Sequence, residues 1–310
     1  MVIEKTKAIQ VRNTNWNNLG VIPKWMKNKD FDLDQFFTKK EIAKKCIDDF
    51  LSFLKAKKED VNNILFIEPS AGNGSFYFQL NVKEKIGIDI MPLHPEIKLQ
   101  DFLTFNPPKT NKKIAVIGNP PFGYRSWMAL QFMLHAAKFA DYIGFILPMA
   151  FQSDGKGSPK FRVPMKLVKT SLLPSNSFID INGKTKKVNA IWQIWEKGKN
   201  NLVLDTDLSE FVEIFTVDLR KERLCGIKKM SQADCFIQRT YFNQPPKPVK
   251  DFKNVKYGCG YGIIIKKEKD RILQLLYEID WNKYSNLATH NCRHISMYHI
   301  KKALIDKGLK

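Results

Sequence analysis

The stretch Asn119-Pro120-Pro121-Phe122 places an amide side chain, two prolines and an aromatic ring directly after the apolar run 115–118. Because proline has no N–H and a fixed φ, Pro120 and Pro121 cannot continue a sheet ladder. The sequence therefore predicts a buried strand that ends at a cleft, with the Asn119 side chain and the Asn119 and Pro120 carbonyls as acceptors and Phe122 as a stacking plate. Such a group can hold a flat nitrogenous ring by its amino group, although the motif alone also fits a plain strand-ending turn.

A glycine-rich loop lies upstream of this motif. Ile64-Leu65-Phe66-Ile67 is a short apolar run that indicates a buried parallel strand, and Glu68-Pro69-Ser70-Ala71-Gly72-Asn73-Gly74 follows it. The two glycines allow positive φ and close approach of the backbone to a ligand, and Glu68 adds a carboxylate. The pattern is neither G-x-G-x-x-G nor a P-loop, so a dinucleotide or phosphate site is not favoured.

Two acids follow at regular spacing. Lys85–Ile90 indicates a second strand that ends at Asp89, and Gln100–Leu103 is a third candidate strand that carries Asp101 and Phe102. In an open α/β sheet, ligands bind beyond the carboxyl ends of the strands. There Asp89 can accept both ribose hydroxyls, while Asp101 accepts an amino proton and Phe102 flanks a base. In this order the motifs predict a nucleoside pocket that needs no phosphate grip.

With these motifs in this order, the chain resembles the S-adenosylmethionine-dependent N6-adenine DNA methyltransferases. The resemblance covers roughly residues 30–197, with one small departure, Lys39 in place of a common proline. It implies the following roles: Phe37, Thr38, Glu68, Pro69, Ser70, Ala71, Gly72 and Gly74 on the methionine part of the cofactor; Asp89 and Ile90 on its ribose; Asp101 and Phe102 on its adenine; Asn119 beside the cofactor as well; and Asn119, Pro120, Pro121 and Phe122 on the target amino group.

The mechanism expected from this resemblance is direct methyl transfer to a flipped-out adenine, because its N6 atom is unreachable inside the base stack. Phe122 stacks on the base, and the Asn119 side-chain oxygen and the Pro120 carbonyl accept the two N6 hydrogens. No cysteine follows a proline, so the nucleophile of cytosine-C5 methyltransferases is absent. The sequence nominates no general base.

Motif order predicts the domain organisation. The interval between the glycine loop and Asn119 has room for βαβ crossovers but not for a recognition domain, which resembles the γ order of the family. We expect an N-terminal arm (1–30), a catalytic domain (31–200) with a Rossmann-like methyltransferase sheet and a C-terminal antiparallel hairpin, and a small α+β target-recognition domain (201–310). The hairpin is assigned to residues 178–181 and 188–195, across Gly183-Lys184.

The charge of the chain favours an anionic partner. Its 310 residues carry a formal net charge of +20, which suits a phosphate backbone. From Gly155 to Lys187 there are eight basic residues and one acid. Five of them are predicted nucleic-acid contacts: Lys156, Lys160, Arg162, Lys166 and Lys169. A lysine-rich, AT-biased genome and a solvated charged loop are the competing explanations.

The remainder of the chain is less informative. Val255–Ile265 indicates a glycine-broken strand, and 269–278 and 297–309 indicate helices. Interleaved tyrosines and lysines in this part can stack bases and grip phosphates, or can form the edge of a small core. The arm at 1–30 either packs on the body or touches DNA. The 202–310 region is small for a domain that recognises a DNA sequence, so a homodimer is one way to reach sequence specificity.

Several classes are disfavoured. The five cysteines form no CxxC pair, and His290, Cys292, His294 and His299 lack the paired spacing of a structural zinc site, so no metal is expected. No apolar run approaches the length of a membrane span, and the thiols fit a cytoplasmic setting in a bacterium, phage or viral factory.

Three alternatives to DNA adenine methylation stay open: an RNA adenine methyltransferase, a protein-glutamine methyltransferase, and a non-catalytic DNA-binding subunit that keeps the fold. The basic 155–187 stretch counts against the second, and the intact motifs count against the third. Cytosine-N4 transfer is a near neighbour in chemistry. A restriction-modification setting with a cognate endonuclease is a further expectation that the sequence does not decide.

Overall fold

A computed structural model describes residues 36–123, 126–154, 157–180, 182–202, 206–220, 224–288 and 291–309. The arm at 1–30, Lys156 and His290 lie outside the described residues. The chain divides into two compact units, one running to Phe151 and resuming at Pro159–Leu202, the other comprising Gln152–Ser158 and Val203–Lys310. Among the described residues, none of the helices is both long enough and apolar enough to span a bilayer.

A seven-stranded sheet is the centre of the first unit. In chain order the unit contains β1 (Phe37–Thr38), α1 (Lys40–Ala56), β2 (Ile64–Glu68), β3 (Lys85–Asp89), β4 (Lys98–Leu99), β5 (Lys113–Gly118), α2 (Trp127–Ala136), β6 (Tyr142–Pro148), β7 (Lys166–Leu172), β8 (Phe178–Ile179), β9 (Thr185–Lys186) and β10 (Ala190–Glu196). The large sheet has the order β4-β3-β2-β5-β6-β10-β7, and β1-β8-β9 form a small second sheet.

The pairing of the large sheet gives the Rossmann-like methyltransferase fold that the sequence predicts. The pairs β3–β4, β2–β3, β2–β5 and β5–β6 are parallel, whereas β10 is antiparallel to both β6 and β7. Strands β2, β6 and β10 are buried along their whole length, as expected for strands covered on both faces. An antiparallel hairpin therefore closes an otherwise parallel sheet.

The predicted partner of the last strand was wrong. Phe178 and Ile179 do turn back at Gly183, but they pair with Lys186 and Thr185, not with 188–195. The partner of β10 is β7, which lies at the sheet edge and is mostly exposed. Its sequence, KLVKTSL, carries lysines and hydroxyl residues because an edge strand faces solvent on more sides. Because this composition contains no continuous apolar run, the sequence pattern does not predict the strand.

Helix α1 covers one face of the sheet through residues at helical spacing, among them Cys46, Phe50 and Leu54. Phe50 lies against Gly144 of β6, where an added Cβ would stand 2.8 Å from its ring. The crossover between β2 and β3 contains only a 3-10 turn, Tyr77–Gln79, whereas helix α2 lies between β5 and β6.

Apart from the hairpin, the predicted elements of the first unit agree with the structure except near Asp101. Strand 142–148 is confirmed, and the helix predicted from Met128 to Phe139 is Trp127–Ala136. The third strand is Lys98–Leu99, and Gln100–Leu103 is not a strand. The Asp101 side chain accepts from the Leu103 N–H at 3.0 Å and so caps a 3-10 turn, Phe102–Thr104, that replaces the expected extended chain.

The second unit is a small α+β body. It contains β11 (Val212–Asp218), β12 (Cys235–Gln238), β13 (Thr240–Tyr241), β14 (Cys259–Ile265), α3 (Lys269–Glu278), β15 (Asn286–Leu287), β16 (Arg293–His294) and α4 (Met297–Asp306). The strands form two three-stranded sheets, β11-β14-β12 and β13-β16-β15. The helix predicted at 269–278 is confirmed. The strand predicted from Val255 begins only at Cys259, because 3-10 turns occupy the preceding residues.

Candidate functional site

The predicted site residues lie at the carboxyl ends of three adjacent strands. Glu68 ends β2, Asp89 ends β3, and Asn119 follows β5, whose last residue is Gly118. These strands are parallel and occupy neighbouring places in the order β3-β2-β5. Their carboxyl ends therefore meet at one edge of the sheet, which is where ligands bind in open α/β sheets.

The glycine loop is held against this edge by the chain itself. Gly72 has φ of +49°, a conformation that favours glycine, and its N–H donates to Asp89 Oδ2 at 2.7 Å. A Cβ at Gly72 would stand 3.2 Å from the Phe37 ring. The loop and the Phe36-Phe37-Thr38 stretch are therefore in contact, although they are far apart in sequence.

Asp89 fixes two loops at once. Its Oδ1 accepts from the Met91 N–H at 2.7 Å, while Oδ2 accepts from Gly72. Burial raises the pKa of Asp89, and the N–H groups of Met91, Gly72 and Ile90 work in the opposite direction. A carboxylate offers about four lone-pair directions, so three N–H groups leave acceptor capacity for a ligand hydroxyl.

The Asn119 turn is anchored through its backbone and its side-chain nitrogen. Ser70 Oγ donates to the Asn119 carbonyl at 2.9 Å, and Asn119 Nδ2 donates to the Phe36 carbonyl at 3.3 Å. Asn119 Oδ1 is buried and, within the described part of the chain, has no hydrogen-bond partner. The acceptor that is left over is the side-chain oxygen, because the backbone carbonyl is already engaged.

Glu68 lies underneath this turn as a fully buried carboxyl group. Burial raises its pKa well above the usual range; the Tyr77 N–H lowers it, and the charge of Asp89 adds to the increase. Glu68 Oε2 has no partner among the described residues. Glu68 Cγ lies 3.2 Å from the place of a Cβ on Gly118, so the residue before Asn119 must be small.

The small sheet β1-β8-β9 brings the remaining target-side residues to the turn. Thr38 of β1 pairs with Phe178 of β8, and the Phe178 ring meets the Phe122 ring edge-on at 6.3 Å between centroids. Thr38 Oγ1 is buried, and no described residue lies within hydrogen-bond distance of it. Phe178 supports the predicted stacking plate, and no local sequence pattern distinguishes it from any other core phenylalanine.

Asp101 and Phe102 are placed differently from each other. Asp101 Oδ2 is a further buried atom without a hydrogen-bond partner among the described residues, and burial raises the pKa of this carboxyl group. The Phe102 ring is 1% exposed and packs against Phe132 and His135, with centroid distances of 5.1 and 5.0 Å. The Phe102 ring therefore belongs to the core of the first unit, and the expectation that Phe102 flanks a base stays a prediction. Its backbone can still line the pocket.

Four buried polar atoms at this edge thus lack partners among the described residues: Thr38 Oγ1, Glu68 Oε2, Asp101 Oδ2 and Asn119 Oδ1. Leaving a buried polar group unpaired costs about 1–3 kcal/mol each. The fifth such atom, Trp281 Nε1, belongs to the second unit. A polar ligand with hydrogen-bond donors would satisfy these atoms. Their concentration beside a glycine loop therefore indicates a ligand-binding site.

The predicted basic stretch is mostly engaged within the first unit. Lys166 pairs with Glu196 at 2.8 Å, and Lys169 pairs with Asp49 at 2.5 Å. Lys160 is buried, with its ammonium 5.5 Å from the centre of the Phe161 ring. Arg162 is exposed. Arg162 therefore fits the predicted contact to nucleic acid better than the other three described members.

The Cys–His cluster of the second unit is dispersed. Cys292 Sγ lies 3.5 Å from His294 Nε2, but the His299 ring closes a capping box with Ser296 at the start of α4. Within the described residues, no group of three or more side chains could hold a metal ion. His294 Nδ1 instead lies 2.9 Å from Thr240 Oγ1. Its role in this region is to join two short strands.

Sequence comparisons give no family, since no family model matches and no curated protein matches by sequence. Solved structures resemble the fold weakly. A putative RNA methyltransferase from Pyrococcus horikoshii has a TM-score of 0.41 and 17% identity, over 53% of this chain and 88% of that one. Magnesium protoporphyrin IX methyltransferase from Synechocystis, with bound S-adenosylmethionine, has a TM-score of 0.36 and 16% identity, over 64% and 100%.

An N-methyltransferase from Bradyrhizobium japonicum has a TM-score of 0.32 and 12% identity, over 51% of this chain and 98% of that one. Scores this low say nothing about substrate or mechanism. The fold assignment instead rests on the strand order and the antiparallel strand β10 of the sheet itself.

Proposed function

We propose that the protein is an S-adenosylmethionine-dependent methyltransferase that acts on the N6 amino group of adenine in DNA. The observation that carries this proposal is the orphaned Asn119 Oδ1, an acceptor buried at the carboxyl end of β5 in an Asn-Pro-Pro-Phe turn. An amino group is the donor that such an oxygen lacks. The Phe122 ring, supported edge-on by Phe178, supplies the flat surface beside it.

The residues around the glycine loop fit the cofactor. Asp89 has acceptor capacity for ribose hydroxyls, and Asp101 Oδ2 is a buried acceptor for an amino group. Glu68 is a buried carboxyl group that a cationic ligand would stabilise in its charged form. The bound cofactor would supply an electrophilic methyl group on a sulfonium. Phe37 and the loop backbone at Gly72 would hold its methionine part.

The chain's own contribution to catalysis is positioning and placed dipoles. Ser70 and the Phe36 carbonyl hold the Asn119 backbone and side chain from two sides, so Oδ1 is aimed without rotational freedom. By accepting an N6 hydrogen, Oδ1 keeps electron density on the amino nitrogen and orients its lone pair. Pro120 supports this by presenting its carbonyl from a fixed φ. No side chain is assigned as a general base.

DNA as the substrate is supported by the net charge of +20, since a protein that binds duplex DNA must neutralise phosphates. The base has to leave the stack to reach Asn119, because the turn lies at the end of a buried strand. The Asn-Pro-Pro-Phe motif is also compatible with RNA adenines and with protein amides. These substrates are outcomes of the test.

The test is transfer of labelled methyl groups from S-adenosylmethionine to unmethylated genomic DNA, total RNA and total protein, followed by digestion and mass analysis. We expect N6-methyldeoxyadenosine in the DNA and a rate of labelling about 10²- to 10³-fold lower with Asn119→Ala. Asn63→Ala is the matched control, because Asn63 is exposed just before β2, at the end opposite Glu68. Label only in RNA or protein would overturn the assignment of DNA as the substrate. No label in any fraction would overturn the proposal that the protein is a methyltransferase.

A further inference from the structure

The second unit carries an exposed aromatic pair that its core does not use. The side chains of Phe242 and Tyr257 are 52% and 58% exposed. Their rings meet edge to face, with centroids 6.3 Å apart and an interplanar angle of 69°. Two large exposed rings in contact form a contiguous apolar patch, which is a feature of interaction sites.

Tyr257 is also held in an unusual backbone conformation. Its φ and ψ are 63° and 11°, in the left-handed region, and Gly258 follows at φ of +56°. A bulky residue with positive φ is an outlier in a folded protein. The surrounding hydrogen bonds fix it: the Leu219 N–H donates to the Gly258 carbonyl at 2.8 Å, and the Lys256 N–H donates to Gln238 Oε1 at 3.3 Å.

The segments that carry this pair also carry cations without acidic partners. From Gln238 to Gly258 the sequence has five basic residues and one acid, Asp251, whose carboxylate accepts the Lys253 N–H at 2.9 Å. In the described part of the unit, Lys253, Lys256 and Arg239 have no carboxylate within ion-pair distance. The Arg239 backbone N–H donates to the Cys259 carbonyl at 3.2 Å, which places it beside the start of β14.

We propose that Phe242 and Tyr257, with Lys253, Lys256 and Arg239, form a nucleic-acid contact surface that stacks on unpaired bases. Aromatic faces interleaved with lysines are the arrangement that binds single strands, because rings stack on bases while ammonium groups meet phosphates. The surface rests on the proposed function, since an enzyme that flips a base leaves unpaired bases in its substrate. By contrast, Lys166 and Lys169 of the first unit each pair with a carboxylate.

The test uses the full-length protein and fluorescence anisotropy with a labelled single-stranded DNA and its duplex. We expect Tyr257→Ala to weaken single-strand binding about 5- to 150-fold, the range for loss of one base–ring stack, and to affect the duplex less. Tyr257→Phe retains the ring and the affinity. Tyr277→Ala removes a tyrosine that is 46% exposed on α3, and it should leave binding unchanged.

Salt dependence separates the charges from the rings. Lys253→Gln and Lys256→Gln should each reduce the slope of log affinity against log salt by about 0.7 for single strands, whereas Tyr257→Ala should leave it unchanged. Lys267→Gln is the matched control, because Lys267 pairs with Glu210 at 3.1 Å and both are exposed. Equal affinities for wild type, Tyr257→Ala and Phe242→Ala would overturn the proposed surface. A loss of binding that is explained entirely by a change in the oligomeric state of the variants would also overturn it.

The same preparations are assayed for methyl transfer, so that the two proposals fail separately. Methylated DNA together with unchanged binding by the ring variants would overturn the surface and keep the function. Loss of binding in the ring variants, without methyl transfer by wild type, would support the surface and overturn the function. A wild-type protein that binds neither strand form would overturn the surface.

Discussion

At the carboxyl edge of the large sheet, four buried polar atoms have no partner among the described residues, whereas in the second unit the buried Tyr241 hydroxyl has three. Tyr241 Oη donates to the Trp281 carbonyl at 2.9 Å and also lies within hydrogen-bond distance of Asn282 and Ser285. Asp218 is likewise paired with Arg220. Among the described residues, four orphaned atoms are concentrated at one edge of the first unit, whereas the second unit has one, Trp281 Nε1. Polar ligands are therefore expected in the interior of the first unit and on the surface of the second.

Substitution of Asn119, whose side-chain oxygen is one of the four orphaned atoms, is expected to have the largest effect. We expect Asn119→Ala to lower kcat about 10²- to 10³-fold, the cost of losing one placed hydrogen-bonding dipole at the reacting group. Cofactor affinity, measured by calorimetry, should change little, because Gly72, Asp89 and Asp101 remain. Equal loss of cofactor binding and turnover would show that Asn119 serves the fold of the pocket and not the target amino group.

Substitution of Asp89 should have the opposite pattern, with a large effect on cofactor affinity and a small effect on turnover. Asp89→Ala removes the acceptor of two N–H groups at 2.7 Å as well as the proposed ribose partner. We expect the cofactor Kd to rise about 10- to 150-fold, from the value of hydrogen bonds to a charged group, with kcat at saturating cofactor much less affected. Asp60→Ala is the control, because the Asp60 side chain also accepts a backbone N–H, from Asn62, away from the site. An unchanged Kd would remove Asp89 from the pocket.

Much of this site follows from local patterns in the sequence. The apolar runs at 64–67 and 142–148 predict strands, and an acid or asparagine directly after a parallel strand must lie at its carboxyl end. The edge strand β7 escaped because its lysines and hydroxyl residues give no apolar pattern. A spacing rule also does not say which aromatic residues fill the core, as the Phe102 ring does.

Contacts between distant segments could not be predicted in this way. The hydrogen bond from Asn119 to Phe36 joins residues 83 apart in sequence. The contact between Phe122 and Phe178 depends on a two-residue pairing of β1 with β8. Such pairings depend on the whole fold, and short strands of two residues have no periodicity from which a register could be inferred.

Two hydroxyl deletions sharpen the contrast between the units. Tyr241→Phe strips a satisfied hydroxyl and leaves buried acceptors behind, so the free energy of unfolding should fall by about 1–3 kcal/mol. Thr38→Val removes an orphaned hydroxyl, so stability should hold or rise while methyl transfer falls. Because the two units need not unfold together, hydrogen exchange read separately in β14 and β2 is the measurement. Equal destabilisation by both variants would remove the contrast.

The smallest expected effect is the pH dependence that Glu68 gives to stability and to cofactor affinity, and the direction of this dependence follows from its raised pKa. Its folded-state pKa is raised above the ordinary 4.5, so its contribution to stability is complete below pH 4.5 and is lost as pH rises through the folded pKa. A cationic ligand favours the charged form, so cofactor binding should release a proton. The logarithm of cofactor affinity should then rise with pH, by at most about one unit per pH unit, between 4.5 and the raised pKa.

Calorimetry in buffers of different ionisation enthalpy counts that proton directly. Glu68→Gln should abolish the release and flatten the pH dependence, because the amide does not titrate. Glu96→Gln, at an exposed carboxyl group, should preserve both. If wild type released no proton and bound the cofactor equally at each pH, Glu68 would be a neutral packing group, and the orphaned atom beneath Asn119 would not be a ligand acceptor. The interior site would then contain three unsatisfied acceptors in place of four, and the contrast with the second unit would rest on Thr38, Asp101 and Asn119.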